Sequence, residues 1–279
     1  MYRFLNSLRD GARYSITLKT AAASSATVRR DYHPHFEVYF CPLEIKQDIL
    51  INGKPYVIEQ PSVIISSPFS VHGMSKYNDR SNLFPRYTIY LNEDFIENEC
   101  HGNLPKGMFG DFASCIYLLT NEQRDILRPI FERMVDATDN PTEFAAYFTA
   151  AMYTLERTTP KESRILGGSK ELYYVVDVLK YIYSNKHRLL SADIIASEFH
   201  VSRAKLDRDF RAFVGQTLHK TVTDFRIGRA IELITSTKMK IKDVAAACGF
   251  EDEYYFYAFF KSATGMTPLA MRRAGATRK

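Results

Sequence analysis

"KIKDVAAACGFEDEYYFYAFFKSATGMTPLAMRR", residues 240–273, decides how this chain is read. Tyr254, Tyr255, Phe256, Tyr257, Phe259 and Phe260 crowd one short run ahead of a cationic tail. A strand, a membrane-surface helix and a half-buried helix each account for such crowding. With Asp252 as N-cap, the run reads as a helix. Phe256, Phe259, Phe260 and Ala263 then form its buried stripe, while Tyr254, Tyr257, Ala258 and Lys261 face outward. A membrane-surface helix needs a continuous basic face, yet Glu251, Asp252 and Glu253 stand at the entrance. The aromatics are therefore mostly core.

The same pattern occurs 50 residues earlier. Ala196 corresponds to Ala246, Leu206 to Phe256, Phe210 to Phe260, Arg211 to Lys261, Gly215 to Gly265 and Thr217 to Thr267. Two copies are too few for a solenoid, so the segment is a duplicated helical unit. In the first copy a helix around Asp193 to Glu198 precedes a short turn, and Ser202 suits the N-cap of a second helix. Leu206, Phe210 and Phe213 recur at i, i+4 and i+7 and face the core. Arg203, Ala204, Asp207, Arg208 and Arg211 face outward. Helix, short turn and a second helix with a cationic outer face is the layout of a helix-turn-helix.

On these residues, 190–273 resembles the double helix-turn-helix DNA-binding domain of the AraC/XylS transcription regulators. The second copy carries the most specific stretch: Ile241, Val244-Ala245, Gly249-Phe250, Phe256, Phe260-Lys261, Gly265, Thr267-Pro268 and Arg272. "DFRIGRAIELI", with Arg226 and Ala230, is similar to the family's linking helix. The resemblance implies DNA contacts from Arg203, Ala204, Asp207, Arg208 and Arg211 in one recognition helix. It implies the same for Glu253, Tyr254, Tyr257, Ala258 and Lys261 in the other. Ala258 stands where many members carry a base-reading arginine, and Glu253 brings negative charge towards phosphate. Sequence reading is thus expected mainly from the first copy.

The first ~100 residues read as strands separated by Gly, Pro and Asn turns, which suggests an antiparallel sandwich or barrel. "ILINGKPYVIEQPSVIISSP" holds Asn52-Gly53 between apolar runs, a hairpin signal because both residues tolerate positive φ. "YHPHFEVYF" alternates, placing Phe36, Val38 and Phe40 on one face and His33, His35, Glu37 and Tyr39 on the other. With His72, that polar row is the candidate effector site, which a hydroxyl-rich small molecule would satisfy. As strand residues, His33 and Glu37 would have Cα atoms about 13 Å apart, too far for bonds of ~2 Å to one ion. His35 with His72 is the pair left within reach, and no metal or other cofactor is assigned. "HPHFEVYF", the "INGKPY" hairpin and Pro68 to His72 also resemble the cupin-type effector domain of sugar-responsive members of the family.

After Asn121 helical spacing takes over. Ile126, Leu127, Ile130, Met134 and Val135, then Phe144, Phe148, Ala151, Met152 and Leu155, predict two amphipathic helices joined by Asp139-Asn140-Pro141. The resemblance implies that they dimerise. "TTPKESRILGGSK" lacks periodicity and is read as a linker. The expected organisation is α+β and multidomain. Residues 1–157 form a cupin-like antiparallel β-barrel with a helical dimerisation segment, 158–170 the linker, and 171–279 an all-α domain with two helix-turn-helix units.

Charge agrees with a polyanionic partner. Residues 170–279 hold 19 Lys and Arg against 12 Asp and Glu, whereas the first 169 hold 18 against 20. Cys41, Cys100, Cys115 and Cys248 are scattered without a CxxC pair, as expected of reduced cytoplasmic thiols. No apolar run reaches the ~18 to 20 residues of a membrane span, and "MYRFLNSLRD" lacks signal-peptide character. No catalytic triad, P-loop, HExxH or post-strand GxGxxG appears, so no enzyme is expected. The reading is a sequence-specific regulator of promoter DNA, controlled by a small-molecule effector such as a sugar. It would form a homodimer, have RNA polymerase as a further partner and have no membrane association. Two alternatives stay open: a cupin-type metalloenzyme fused to a DNA-binding domain, and a ligand-independent dimeric regulator.

Overall fold

In this computed structural model the described residues are 3–4, 12–21, 30–74, 83–110, 114–168, 172–186, 188 and 190–276. The chain divides into two compact units, Met1–Tyr173 and Tyr174–Lys279.

The first unit is built on two sheets. Its strands are β1 (Arg3–Phe4), β2 (Tyr14–Ala21), β3 (Asp31–Tyr32), β4 (Phe36–Cys41), β5 (Gln47–Ile51), β6 (Lys54–Ile58), β7 (Ser62–Ser66), β8 (His72–Met74), β9 (Leu83–Leu91), β10 (Cys115–Leu118) and β11 (Arg164–Leu166). One sheet has the order β1-β3-β8-β5-β6, the other β11-β10-β7-β4-β9-β2. Among the described residues these are two sheets, not one continuous ring. Pairing is antiparallel except for β1 alongside β3, which is parallel and departs from the all-antiparallel expectation.

β4 is buried on both faces, which explains its near-continuous apolar character. Phe36, Val38 and Phe40 pack in one cluster with Leu127, Phe131 and Met134 of α1 (Asn121–Asp136) and Phe144, Phe148 and Leu155 of α2 (Pro141–Thr158). Each such burial contributes roughly 1.5 to 3 kcal/mol. Tyr39 and Cys41, on the opposite face, pack with Ile49, Ile51 and Ile58 of the other sheet. The two helices begin where capping chemistry allows: Thr120 and Gln123 make a capping box for α1, and Asn140 caps α2 ahead of Pro141. Ile126, expected on the apolar stripe, is exposed, and Phe131 takes the buried place.

The expected linker is corrected. α2 runs to Thr158, and residues 164–166 form β11, which pairs with β10 through Ile116↔Ile165. The Gly167 amide donates to the Ser114 carbonyl at 2.8 Å. This segment completes a sheet edge, and β-pairing requires no sequence periodicity of its own. The division between units falls at Tyr173, while the expected boundary at 170/171 lies outside the described residues.

The second unit is helical: α3 (Tyr174–Ser184), α4 (Ala192–Glu198), α5 (Arg203–Val214), α6 (Leu218–Ser236), α7 (Ile241–Ala247), α8 (Glu253–Thr264) and α9 (Pro268–Ala276). α5 and α8 start and end 50 residues apart, with caps to match. The Ser202 hydroxyl accepts from the Lys205 amide at 3.2 Å and the Asp252 carboxylate from the Tyr255 amide at 2.6 Å. Gly215 (φ 82°) and Gly265 (φ 76°) close the helices in the left-handed region that glycine enters without strain. Among the described residues no helix is long and apolar enough to cross a membrane.

Candidate functional site

Two regions carry chemistry, one in each unit. In the helical unit, α4 and α5 meet through a turn in which the Val201 amide donates to the Ala196 carbonyl at 3.0 Å and His200 takes φ 53°. The α7–α8 turn repeats this with Phe250 to Ala245, also 3.0 Å, and Gly249 at φ 75°. Ala196 therefore matches Ala245, not Ala246. The offset is 49 residues in the first helices and 50 in the second, because the α7–α8 turn is one residue longer. A uniform offset of 50 is corrected on that point.

Leu206, Phe210 and Phe213 are fully buried, as are Phe256 and Phe260. Phe259 is only half-buried, its ring centroid 6.4 Å from that of Phe250, and Ala263 is exposed. That part of the expected stripe is corrected. α3 packs on α5, whereas α7 and α9 pack on α8, and Lys261, Ser262 and Ala263 in the last turn of α8 are exposed.

The outward positions are exposed in α5 for Arg203, Ala204, Arg208 and Arg211, with Asp207 half-buried. In α8, Glu253, Tyr254, Ala258 and Lys261 are exposed and Tyr257 is half-buried. Tyr254 is 88% exposed, which no core role accounts for. Arg203 meets Asp193 of α4 at 3.2 Å, an exposed pair worth about 0 to 1 kcal/mol. The Arg208 Nε donates to Asp209 Oδ1 at 3.0 Å. Asp209 itself is buried and also accepts from the Tyr174 hydroxyl at 3.0 Å and from Lys205. Burial works to raise the Asp209 pKa, but these donors outweigh it and hold it below the usual 3.8. The sequence reading missed this cluster, since Tyr174 reaches it from a separate helix and only the fold brings them together.

In the sheet-rich unit the polar row is not a single strand face. β3 ends at Tyr32 and β4 begins at Phe36, and the two belong to different sheets. The chain bends at His33-Pro34-His35, returning His33 onto Glu37. His33 Nε2 lies 3.0 Å from Glu37 Oε2, so the two side chains meet, contrary to the expectation that one ion could not reach both. His72 Nε2 reaches the same oxygen at 3.0 Å. His33 is 1% and Glu37 7% exposed, so this is an interior cluster.

Backbone turns aim these groups. Asn52 (φ 47°) and Gly53 (φ 80°) form the two-residue β5–β6 turn. Asn52 Oδ1 accepts from the Val71 amide at 2.9 Å and from the Ser70 hydroxyl at 3.0 Å, fastening the segment that enters β8 at His72. The Phe69 amide donates to the His33 carbonyl at 2.8 Å. His35 stacks on His33 with centroids 6.0 Å apart, and burial beside His33 lowers its pKa to about 4. Tyr39 is not brought in: its hydroxyl donates to Gln47 Oε1 at 3.1 Å within the intersheet core. Tyr90, which the sequence did not single out, faces His33 edge-on at 5.2 Å from the neighbouring strand β9.

A helix-turn-helix domain family matches residues 195–274. The HTH-type transcriptional activator RhaR of Pectobacterium atrosepticum is 33% identical over 233 residues, covering 80% of this chain and 79% of its own. The chain belongs to the AraC/XylS family. The xylose operon regulatory protein of Escherichia coli K12 is 29% identical over 98 residues, 35% of this AraC/XylS chain. The chain spans only 25% of that relative's length. ToxT of Vibrio cholerae O395 aligns over 93% of the chain and 97% of its own at 13% identity, with a TM-score of 0.47.

Proposed function

We propose that this AraC/XylS protein is a cytoplasmic, sequence-specific DNA-binding transcription regulator whose helical unit docks α5 and α8 on promoter half-sites. The observation that supports this most is the exposure of four of five matched positions, with the fifth half-buried, on each of two equally capped helices. A second helix presented this way enters the major groove. α5 is the base reader, with three arginines on its outer face, and α8 chiefly positions the protein. The sheet-rich unit, read as a cupin-like barrel, takes a small hydroxyl-bearing effector such as a sugar near His33, His35, Glu37 and His72. α1 and α2, which expose Ile126 and Tyr153, supply the dimer contact. Effector binding shifts the population of arrangements that fit the DNA, dimerisation raises the effective concentration at the second half-site, and RNA polymerase is the further contact.

Selection of bound duplexes from a random pool with the full chain tests this reading. It is expected to enrich a defined motif. Affinity should fall with salt at a log–log slope of about −0.9 for each phosphate neutralised. Absence of DNA binding by folded protein at low salt would refute it.

A further inference from the structure

We propose that His33, Glu37 and His72 form a binding site for one divalent first-row transition-metal ion. The inference concerns the sheet-rich unit alone and does not rest on the DNA-binding reading.

His33 Nδ1 lies 3.0 Å from the His35 carbonyl, and His72 Nδ1 lies 2.9 Å from the Ser70 carbonyl. A carbonyl only accepts, so both Nδ1 atoms hold protons and donate. In a neutral ring Nε2 is then left with a lone pair. Both Nε2 atoms point at the same carboxylate oxygen, each 3.0 Å away, and the three donor atoms lie within 4.8 Å of one another. Three lone-pair-bearing atoms converging in a buried place repel one another unless positive charge sits among them. Two added protons would supply it, at the expense of two buried imidazolium rings against a single carboxylate. One divalent ion supplies it with both rings neutral.

The geometry suits such an ion. Metal bonds of ~2.1 Å to nitrogen and oxygen, set at right angles, place neighbouring donor atoms ~3.0 Å apart. That is the spacing of each histidine from Glu37. A histidine whose other nitrogen donates to a backbone carbonyl is the usual support for a ligating ring, because the bond sets both tautomer and ring angle. Two imidazoles and one carboxylate suit zinc, iron(II), cobalt(II) or nickel(II), and disfavour calcium and magnesium, which take all-oxygen shells. Three protein ligands leave coordination positions for an oxygen donor. The ligands come from the β3–β4 bend, from β4 and from β8, so the ion would tie the two sheets together.

The test uses the full chain, stripped with chelator and titrated with cobalt(II), followed by visible absorption and equilibrium dialysis. One equivalent is expected, with ligand-field bands, no thiolate charge-transfer band, and displacement by zinc. His72→Ala and Glu37→Gln should each weaken binding at least tenfold, while His219→Ala, on an exposed residue of the other unit, should leave it unchanged. X-ray absorption on the wild-type zinc form should show imidazole scattering from two rings, a readout that survives if a variant fails to fold. Failure of the wild type to take up any ion, uptake unaffected by both substitutions, or a shell without imidazole would overturn the proposal. A DNA-binding result of either sign would leave it standing.

Discussion

α5 and α8 share length, spacing and cap design, yet differ in chemistry at four of five matched positions. Arg203 faces Glu253 in the comparison, Ala204 faces Tyr254, Asp207 faces Tyr257, Arg208 faces Ala258, and Arg211 faces Lys261. Three arginines against one aspartate become one lysine against one glutamate, with two tyrosines added. Beneath that surface the match is close: Leu206 and Phe256 are both fully buried, as are Phe210 and Phe260. A duplicated scaffold thus keeps the residues that make it fold and frees those that face outward. The differences that remain in the core are consequently informative, and the first lies in the last turn of each helix.

Phe213 is fully buried where its counterpart Ala263 is exposed. Phe213→Ala should cost about 3 to 5 kcal/mol, the range for emptying a packed aromatic site. Ala263→Ser should change stability by no more than about 0.5 kcal/mol. Urea denaturation followed by circular dichroism measures both. Equal costs would mean that the two helix ends are packed alike and that α3 contributes nothing special to α5.

That asymmetry marks how far the sequence was legible. Cap residues, Gly215 and Gly265, and the i, i+4 apolar pairs are local signals, and the helical unit follows from them. The first misjudged register came from a turn one residue longer in the second copy, which the aligned pairs on either side concealed. In the sheet-rich unit the alternation of residues 33–39 resembled one strand. Pro34, which donates no hydrogen bond, sits where the chain crosses between sheets. β11 was hidden for the opposite reason, since a three-residue edge strand carries too few residues to show a period. Sites assembled across sheets or helices, such as His33 with His72 or Tyr174 with Asp209, have no signature in sequence spacing at all.

Asp209 has a second kind of asymmetry, because its counterpart in α8 is Phe259. Its folded pKa is depressed, so its carboxylate adds stability above the ordinary value of 3.8 and loses that contribution as pH falls through the folded value. Asp209→Asn should therefore cost about 1.5 to 3 kcal/mol at neutral pH, the range for hydrogen bonds to a charged group. The gap from wild type should narrow only below 3.8. Denaturation midpoints for both proteins across acid pH check the sign. A gap that is constant with pH would show that Asp209 acts by shape and not by charge, removing this difference between the copies.

The smallest expected effect separates the helices by what they read. Arg208 and Ala258 occupy one position of the repeat, both exposed, one turn into their helices. Arg208 has a planar guanidinium suited to a paired contact with guanine, and its Nε bond to Asp209 fixes where the side chain starts. Arg208→Ala should cost about 1 to 3 kcal/mol of binding and relax the preference at one base pair. Ala258→Ser places a hydroxyl on a helix whose outer face carries little charge, and should leave the selected motif as it was. Arg203→Ala serves as the reference for a backbone contact, weakening all sequences alike and flattening the salt dependence. Selections with the three variants against one random pool give the answer directly. If Arg208→Ala retains the wild-type motif while Ala258→Ser alters it, base reading belongs to α8, and the charge difference between the two helices serves only phosphate attraction.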